Sequence, residues 1–317
     1  MDDAAFDTDG YDTDGYDSDF LGVAVPFPSL AAAAAAAATA AAPAAAPNRE
    51  LAYTHFSVSL NPSRGLATAT GVNIDGAQLV NVGRGNDWHL DPRIPEHEQT
   101  GEAVYARNDL DRGHLVRRRD PVWGDGATAA RANYDTFAFT NAAPQAAGFN
   151  QSKELWLGLE DHVLEYARAN RNRISVFTAP VLGDDDPLYR GVGIPQLFWK
   201  IAAWATASDT GQAGDADEAD DARIELRAAG FLLDQRPQLS DIDLDEARAL
   251  ALANDAPPPL GPFRTFQVPI ADIAEVTGLD LGALLGADAL TPVEAATDAA
   301  RPEARWVELL EPAAIRL

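Results

Sequence analysis

The sequence predicts an α+β protein built around a central antiparallel β-sheet. Strand-like segments follow one another as chain neighbours, and "ELAYTHFSVSLN" (50–61) and "GLATATGVNIDG" (65–76) form a predicted hairpin with Asp75-Gly76 as a turn. Helical patterns are few. Consecutive strands with few helices favour an antiparallel sheet flanked by helices over a doubly wound parallel sheet.

The clearest predicted helix is "SKELWLGLEDHVLEYARAN" (152–170). Its apolar residues recur at three- and four-residue spacing behind the N-cap Ser152, as Leu155, Leu159, Val163 and Tyr166. A shorter helix is predicted over 269–282. Further strands are predicted at 136–144, 173–182, 195–206 and 223–235, with an acidic surface loop at 207–222.

Composition separates a long N-terminal segment from the rest of the chain. Residues 1–49 open with the acidic repeat "DTDGYDTDGYDSDF" and continue into an Ala/Pro-rich run, so they are predicted to be disordered. Residues 50–317 are predicted to form the folded domain. The N-terminus is acidic where a signal peptide would be basic, and the alanine run is too weakly apolar to span a membrane, so localisation stays open.

The overall charge and the absence of cysteine exclude several kinds of chemistry. The formal net charge is −25 and the chain has no cysteine, which excludes disulfides, thiolate catalysis and cysteine-based zinc sites. Lysine is rare beside arginine, alanine and aspartate, a bias typical of a GC-rich bacterial genome.

One stretch runs against this acidity. "NDLDRGHLVRRRDPVWGD" (108–125) places His114 among arginines, and residues 102–131 hold six arginines against five acidic residues. Arginine suits a phosphate because its planar guanidinium donates paired hydrogen bonds and keeps its charge. The segment therefore indicates that an anionic group is bound here.

Residues downstream of His114 suggest what is done to that anion. An imidazole that titrates near neutrality can take a proton from water at pH 7. Asn141, Gln145, Asn150 and Glu160 follow in sequence, and hard oxygen donors of this kind suit Mg²⁺. A base, a hard-metal site and arginines together predict phosphodiester hydrolysis.

Four motifs in order resemble those of the DNA/RNA non-specific endonuclease family. They are "DLDRGHLVRRRDPVWGD", "FTNAAPQAAGFNQ", "LWLGLEDHVL" and "VFTAPVLGDDDPLYRGVGIPQLFWK", and the similarity runs from about Tyr53 to about residue 279. The resemblance implies a central antiparallel sheet flanked by helices. It also implies a ββα-metal hairpin, in which a strand bears the histidine and a helix bears the metal ligand.

The resemblance assigns roles to the residues of the base and the metal. His114 is the expected general base and Asn150 the expected Mg²⁺ ligand, with Mn²⁺ as a possible substitute. Glu160, placed by its spacing from Trp156, is expected to orient metal-bound water. Asn141 and Gln145 are expected to support the base and the metal waters.

The resemblance also assigns the phosphate contacts. Arg112, in DRGH, and Arg84, in "GRGNDWHLDP", are expected to hold the phosphate and offset charge in the transition state. In the arginine run 117–119, one or two side chains are expected to contact the substrate, because three adjacent residues cannot all face one site. Arg118 is the residue expected to do so. Asp111 is expected to pair with a nearby arginine and brace the hairpin, and Trp88 is expected in the core.

The sequence therefore predicts a Mg²⁺-dependent hydrolase that cuts DNA and RNA without sequence preference and leaves 5′-phosphate ends. Two alternatives stay open: a phosphodiesterase acting on a smaller or lipid phosphodiester, and a noncatalytic nucleic-acid-binding module on the same fold. The expected partners are DNA and RNA, with no membrane, and a homodimer stays open.

Overall fold

The fold is dominated by one large antiparallel sheet. The computed structural model describes residues 14–32, 47–107, 110–146, 172–207, 224–235, 264–290, 306–309 and 315. Its strands are β1 (Ser29–Leu30), β2 (Arg49–Tyr53), β3 (Phe56–Asn61), β4 (Leu66–Asp75), β5 (Leu110–His114), β6 (Ala142–Ala146), β7 (Arg173–Val181), β8 (Leu188–Tyr189), β9 (Val192–Gly193), β10 (Leu197–Ala207), β11 (Ile224–Asp234), β12 (Arg264–Val268), β13 (Leu279–Asp280) and β14 (Val307–Glu308). Eight of them form the sheet in the order β14-β12-β11-β10-β7-β4-β3-β2, and every neighbouring pair is antiparallel. The predicted α+β class is confirmed.

The sheet is buried on both faces, which explains the nearly continuous apolar sequence of its central strands. Successive residues of a strand point to opposite faces. On β10, Phe198 therefore packs into one core with Val72 and Phe231, whereas its neighbour Trp199 packs into a second core with Phe177. Both aromatic side chains of β10 are fully buried. Long apolar strands of this kind need cover on each side.

Most predicted strands have counterparts in the structure. β4, β7, β10 and β11 lie where the sequence places them, and β4 pairs with β3 as predicted. The segment 50–61 is two strands instead of one, because His55 adopts a left-handed φ of 66° and turns the chain between β2 and β3. Among the described residues no helix is long and apolar enough to cross a membrane.

Three α-helices lie in the described part of the chain: α1 (Glu102–Tyr105), α2 (Gly126–Asp135) and α3 (Ile270–Thr277). Helix α3 matches the prediction and ends at Gly278, whose left-handed φ of 68° forms its C-cap. Helix α2 was missed, although Asp125 caps it by accepting hydrogen bonds from the amides of Ala127 and Thr128. The predicted helix 152–170 and most of the acidic loop 207–222 lie outside the described residues.

The N-terminal strap, residues 14–30, corrects the prediction of disorder through residue 49. Phe20, Leu21 and Val25 are buried in the second core, and β1 pairs with β13. The strap is also fixed by polar contacts, since the Tyr16 amide donates to Ser57 Oγ at 2.9 Å. The apolar residues between the aspartates supply enough buried surface to dock the strap, which the average composition of the segment conceals.

Candidate active site

Four of the predicted site residues lie on a separate two-stranded hairpin formed by β5 and β6: Asp111, Arg112, His114 and Gln145. The strands are antiparallel, with Asp111 opposite Gln145, Gly113 opposite Ala143 and His114 opposite Ala142. His114 is the last residue of β5. The ββ part of the expected ββα unit is therefore present, and its expected helix lies outside the described residues.

Gly113 explains why a glycine stands before the histidine. Gln145 is 4% exposed and its side chain folds directly across Gly113. A Cβ at position 113 would lie 2.0 Å from Gln145 Cδ and 2.1 Å from Oε1. The glycine therefore leaves room for the Gln145 side chain.

Asn141 clamps the chain that follows His114. Its side chain is fully buried, and Oδ1 accepts a hydrogen bond from the Val116 amide at 2.8 Å. Nδ2 donates to the carbonyls of Val116 at 2.9 Å and Thr136 at 3.0 Å, which uses both amide hydrogens. The expected support of the base is therefore indirect in this structure, because Asn141 holds the backbone next to His114 and does not contact the imidazole.

The imidazole of His114 lies against an aromatic wall. Its ring centroid is 4.7 Å from that of Trp88 and 5.2 Å from that of Phe137, the latter in an edge-on arrangement. The Nε2 atom is covered and has no hydrogen-bond partner among the described residues. Trp88, predicted in the core, is partly buried: it packs against the small core cluster that contains Phe139 and also lies beside His114.

Electrostatics keep this histidine neutral. Burial lowers the pKa of His114 to about 3, and the positive charges of Arg84, Arg118 and Arg112 act in the same direction. Each cation disfavours a further positive charge on the ring. The three arginines chosen from the sequence therefore lie close enough to act on one imidazole.

The arginines differ in how they are held. Arg84 is exposed on an irregular segment. Arg118 Nη1 donates to the Val82 carbonyl at 3.1 Å and to Asn133 Oδ1, on α2, at 3.0 Å. Burial lowers the pKa of Arg118, as do the neighbouring charges of Arg84, Arg119 and Arg117. A cluster of cations at this spacing repels itself and favours a bound anion.

Arg112 has two neighbours that the sequence did not reveal. Its Nη1 donates to Glu102 Oε2 at 2.7 Å, and its Cζ lies 5.5 Å from the centroid of the Trp88 ring. Glu102 is ten residues away on α1, and no motif marks it. In the sequence, Trp88 follows Arg84 by four residues, and this proximity could have indicated that Trp88 lies near the phosphate site.

Asp111 does not form the expected ion pair with any arginine of the described residues. Its backbone pairs with Gln145, so its part in the hairpin is the strand pairing itself.

The expected metal residues, Asn150 and Glu160, lie outside the described residues. Within the described part of the chain no three His, Asp or Glu side chains cluster so as to hold a metal ion. The Asn141 amide is engaged by backbone, and Glu102 is engaged by Arg112. In the sequence, Asn150 follows β6 by four residues. The amide and carboxylate oxygens of Asn150 and Glu160 fit such an ion.

A neutral imidazole beside three guanidinium groups is chemically a proton acceptor next to an anion-binding site. Comparison with known proteins shows the family of the chain. A model of the DNA/RNA non-specific endonuclease family matches residues 35–287. The chain belongs to that family.

Individual relatives differ in how closely they resemble the chain. An uncharacterized protein of Sinorhizobium fredii, y4fB, is 41% identical over 281 residues, covering 86% of this chain and 39% of that protein. Bovine mitochondrial endonuclease G is 26% identical over 205 residues, covering 61% of this chain and 54% of the enzyme. A solved complex of EndoG with EndoGI matches with a TM-score of 0.49 at 18% identity, covering 74% of this chain and 86% of that one. The chain thus covers 39% of the length of y4fB and 54% of the length of bovine endonuclease G.

Proposed function

We propose that this chain is a Mg²⁺-dependent endonuclease that hydrolyses phosphodiester bonds of DNA and RNA and leaves 5′-phosphate ends. The observation that carries the proposal is the juxtaposition of His114, at the end of β5, with the cations Arg84, Arg112 and Arg118. A phosphate bound to these arginines offsets their charge, which raises the pKa of His114 toward the neutral range in which a general base works best. Family membership supports the same class of reaction.

In the proposed reaction His114 accepts a proton from the attacking water. The water oxygen forms a bond to phosphorus while the bond from phosphorus to the 3′ oxygen breaks. The 3′ oxygen takes a proton from water and leaves as a hydroxyl, so the phosphate stays on the 5′ side. Arg84, Arg112 and Arg118 bind the phosphate and offset the charge that grows on it. The Trp88–Phe137 wall excludes water from one side of the imidazole.

Asn150 and Glu160 are the residues proposed to hold Mg²⁺. When bound, the ion would polarise the phosphate and lower the pKa of water in contact with it. Asn141 and Gln145 act away from the reacting atoms: Asn141 holds the backbone of Val116, and Gln145 packs over Gly113. Arginines and a metal ion address the sugar-phosphate backbone, which carries no direct sequence information, so cleavage should show little sequence preference.

The test compares the wild type with His114→Ala on supercoiled plasmid and on single-stranded RNA, with Mg²⁺ and with EDTA. General base catalysis contributes about 10²–10⁴-fold, so the variant should lose at least about a thousandfold of activity while its circular dichroism stays unchanged. His97→Ala is the matched control, because His97 is exposed on a short 3-10 turn outside the β5–β6 hairpin.

Near wild-type cleavage by folded His114→Ala would contradict the role of the base. Cleavage that persists in EDTA would contradict the need for a metal ion. Binding of DNA without any cleavage would favour a binding module, and turnover of a small phosphodiester alone would favour a phosphodiesterase. Ligation of the cleaved ends without prior phosphorylation checks for 5′-phosphate.

A further inference from the structure

The ion pair between Arg112 and Glu102 lies at the entrance to the proposed phosphate site and is open to solvent. The pair spans 2.7 Å, and the side chains are 31% and 59% exposed. An exposed ion pair is worth about 0–1 kcal/mol, so a stronger anion can displace the carboxylate. A phosphate group offers the same paired oxygen acceptors that a carboxylate offers.

Arg112 does not depend on Glu102 for its position. The indole of Trp88 lies under the guanidinium, with 5.5 Å between Cζ and the ring centroid, and the same indole lies 4.7 Å from the imidazole of His114. Trp88 is itself packed against Phe137 and Phe139. One aromatic ring therefore sets the spacing between the arginine and the base, whatever anion is bound.

Glu102, in turn, is kept close to Arg112 by the docking of its helix. Arg190 Nη1 donates to the carbonyls of Ala103 at 2.7 Å and Ala106 at 2.8 Å, which ties down α1. Val104 and Tyr105 are buried in a small cluster with Leu110 and Phe139, under the hairpin. The carboxylate is thus presented to Arg112 by a fixed scaffold.

We infer that Glu102 is a built-in competitor of the substrate for Arg112, and that the phosphate displaces its carboxylate on binding. This inference rests on the proposed function, since it takes Arg112 as a phosphate ligand. As a competitor, Glu102 lowers the affinity for substrate. A residue that orients Arg112 for catalysis would instead support turnover. The consequence is a lower affinity for phosphate than Arg112 would have without this carboxylate.

The experiment measures Glu102→Gln in two settings. In the His114→Ala background, without Mg²⁺, the Kd for a labelled duplex oligonucleotide is measured by fluorescence anisotropy at low salt. In the otherwise wild-type chain, KM and kcat are measured with Mg²⁺. Removal of a competing exposed ion pair should lower Kd and KM about two- to fivefold without lowering kcat.

Glu308→Gln is the matched control. Glu308 forms a comparable exposed pair with Arg264, at 3.0 Å with side chains 40% and 48% exposed, but it lies on β14 at the opposite edge of the sheet from β2 and β3. Like Glu102→Gln, the Glu308→Gln substitution removes one negative charge. Any gain in affinity for DNA that comes from net charge alone therefore appears in both variants. The difference between the two variants should shrink at high salt, where screening is strong.

Equal Kd values for Glu102→Gln and Glu308→Gln would overturn the inference, and so would a loss of kcat in Glu102→Gln, which would make Glu102 an orienting residue. Failure of the wild type to cleave would overturn the proposed function separately, because the Kd comparison needs no catalysis. Absence of DNA binding by every variant would overturn both.

Discussion

At the scale of single residues, the packing of the β5–β6 hairpin depends on the absence of a side chain at Gly113. Gln145 occupies the space that a Cβ on Gly113 would need, and Gln145 is itself buried. The Gln145 side chain can lie across β5 because residue 113 has no side chain. The position of His114 therefore follows from the packing of its neighbour.

Gly113→Ala is expected to destabilise the protein by about 1–3 kcal/mol, the usual cost of overpacking, because Gln145 must leave its buried position. Gln145→Ala removes the clashing atoms, so the double variant should be more stable than the sum of the single effects predicts. Urea unfolding of the two single variants and the double variant measures the coupling.

Gly126→Ala is the control for this cycle. Gly126 begins α2 and a Cβ there meets nothing within 4 Å, so this change should be neutral or slightly stabilising. Additive effects at positions 113 and 145 would show that the two residues do not compete for the same space.

The sequence was enough to select His114 and the arginines as candidate site residues, because residue type and a local motif indicate their chemistry. Sequence patterns did not indicate that Glu102 and Trp88 contact Arg112, because these residues come together only in the folded structure. Asn141 was predicted as a partner of the base, yet its amide is committed to backbone groups. A polar side chain can be identified from sequence, but its hydrogen-bond partners depend on the fold.

At the scale of elements, the strands were predictable because each is apolar over enough residues to be buried on both faces. The N-terminal strap was not, because its docking rests on a few aromatic residues in an acidic background. Phe20 lies 5.9 Å from Trp123 between ring centroids, and the guanidinium of Arg173 lies 5.1 Å over its ring. The strap therefore uses both packing and a cation–π contact.

Phe20→Ala is expected to release the strap. Burial of a phenylalanine is worth about 3–5 kcal/mol, and local undocking of the strap limits how much of this the whole protein loses. Limited proteolysis should cut the strap much faster in this variant while urea unfolding of the sheet shifts little. Leu30→Ala, at a strap residue that is 37% exposed, should leave the proteolysis rate close to that of the wild type; equal rates for both variants would contradict the role of Phe20.

At the scale of the whole molecule, a net charge of −25 opposes the approach of a polyanionic substrate. Three arginine contacts to phosphate contribute a slope of roughly −3 in log K against log salt, at about −0.9 for each contact. Salt also screens the repulsion, as the Debye length shrinks from about 30 Å at 0.01 M to about 3 Å at 1 M. The two effects oppose each other.

We therefore expect an activity optimum at moderate or high salt, with a shallower decline than a basic nuclease shows. Cleavage rates from low salt to about 1 M at fixed Mg²⁺ measure this dependence. A steep fall from the lowest salt onward would mean that a much larger basic surface contacts the substrate.

The pairing of β1 with β13 also constrains the order in which the chain can fold. Ser29 pairs with Asp280, so nearly the whole described chain lies between the two partners. Closing so long a loop is entropically unfavourable until the intervening sheet has formed. During synthesis the strap emerges before β13, so Phe20, Leu21 and Val25 stay exposed to solvent, to chaperones and to other chains until β13 has been made.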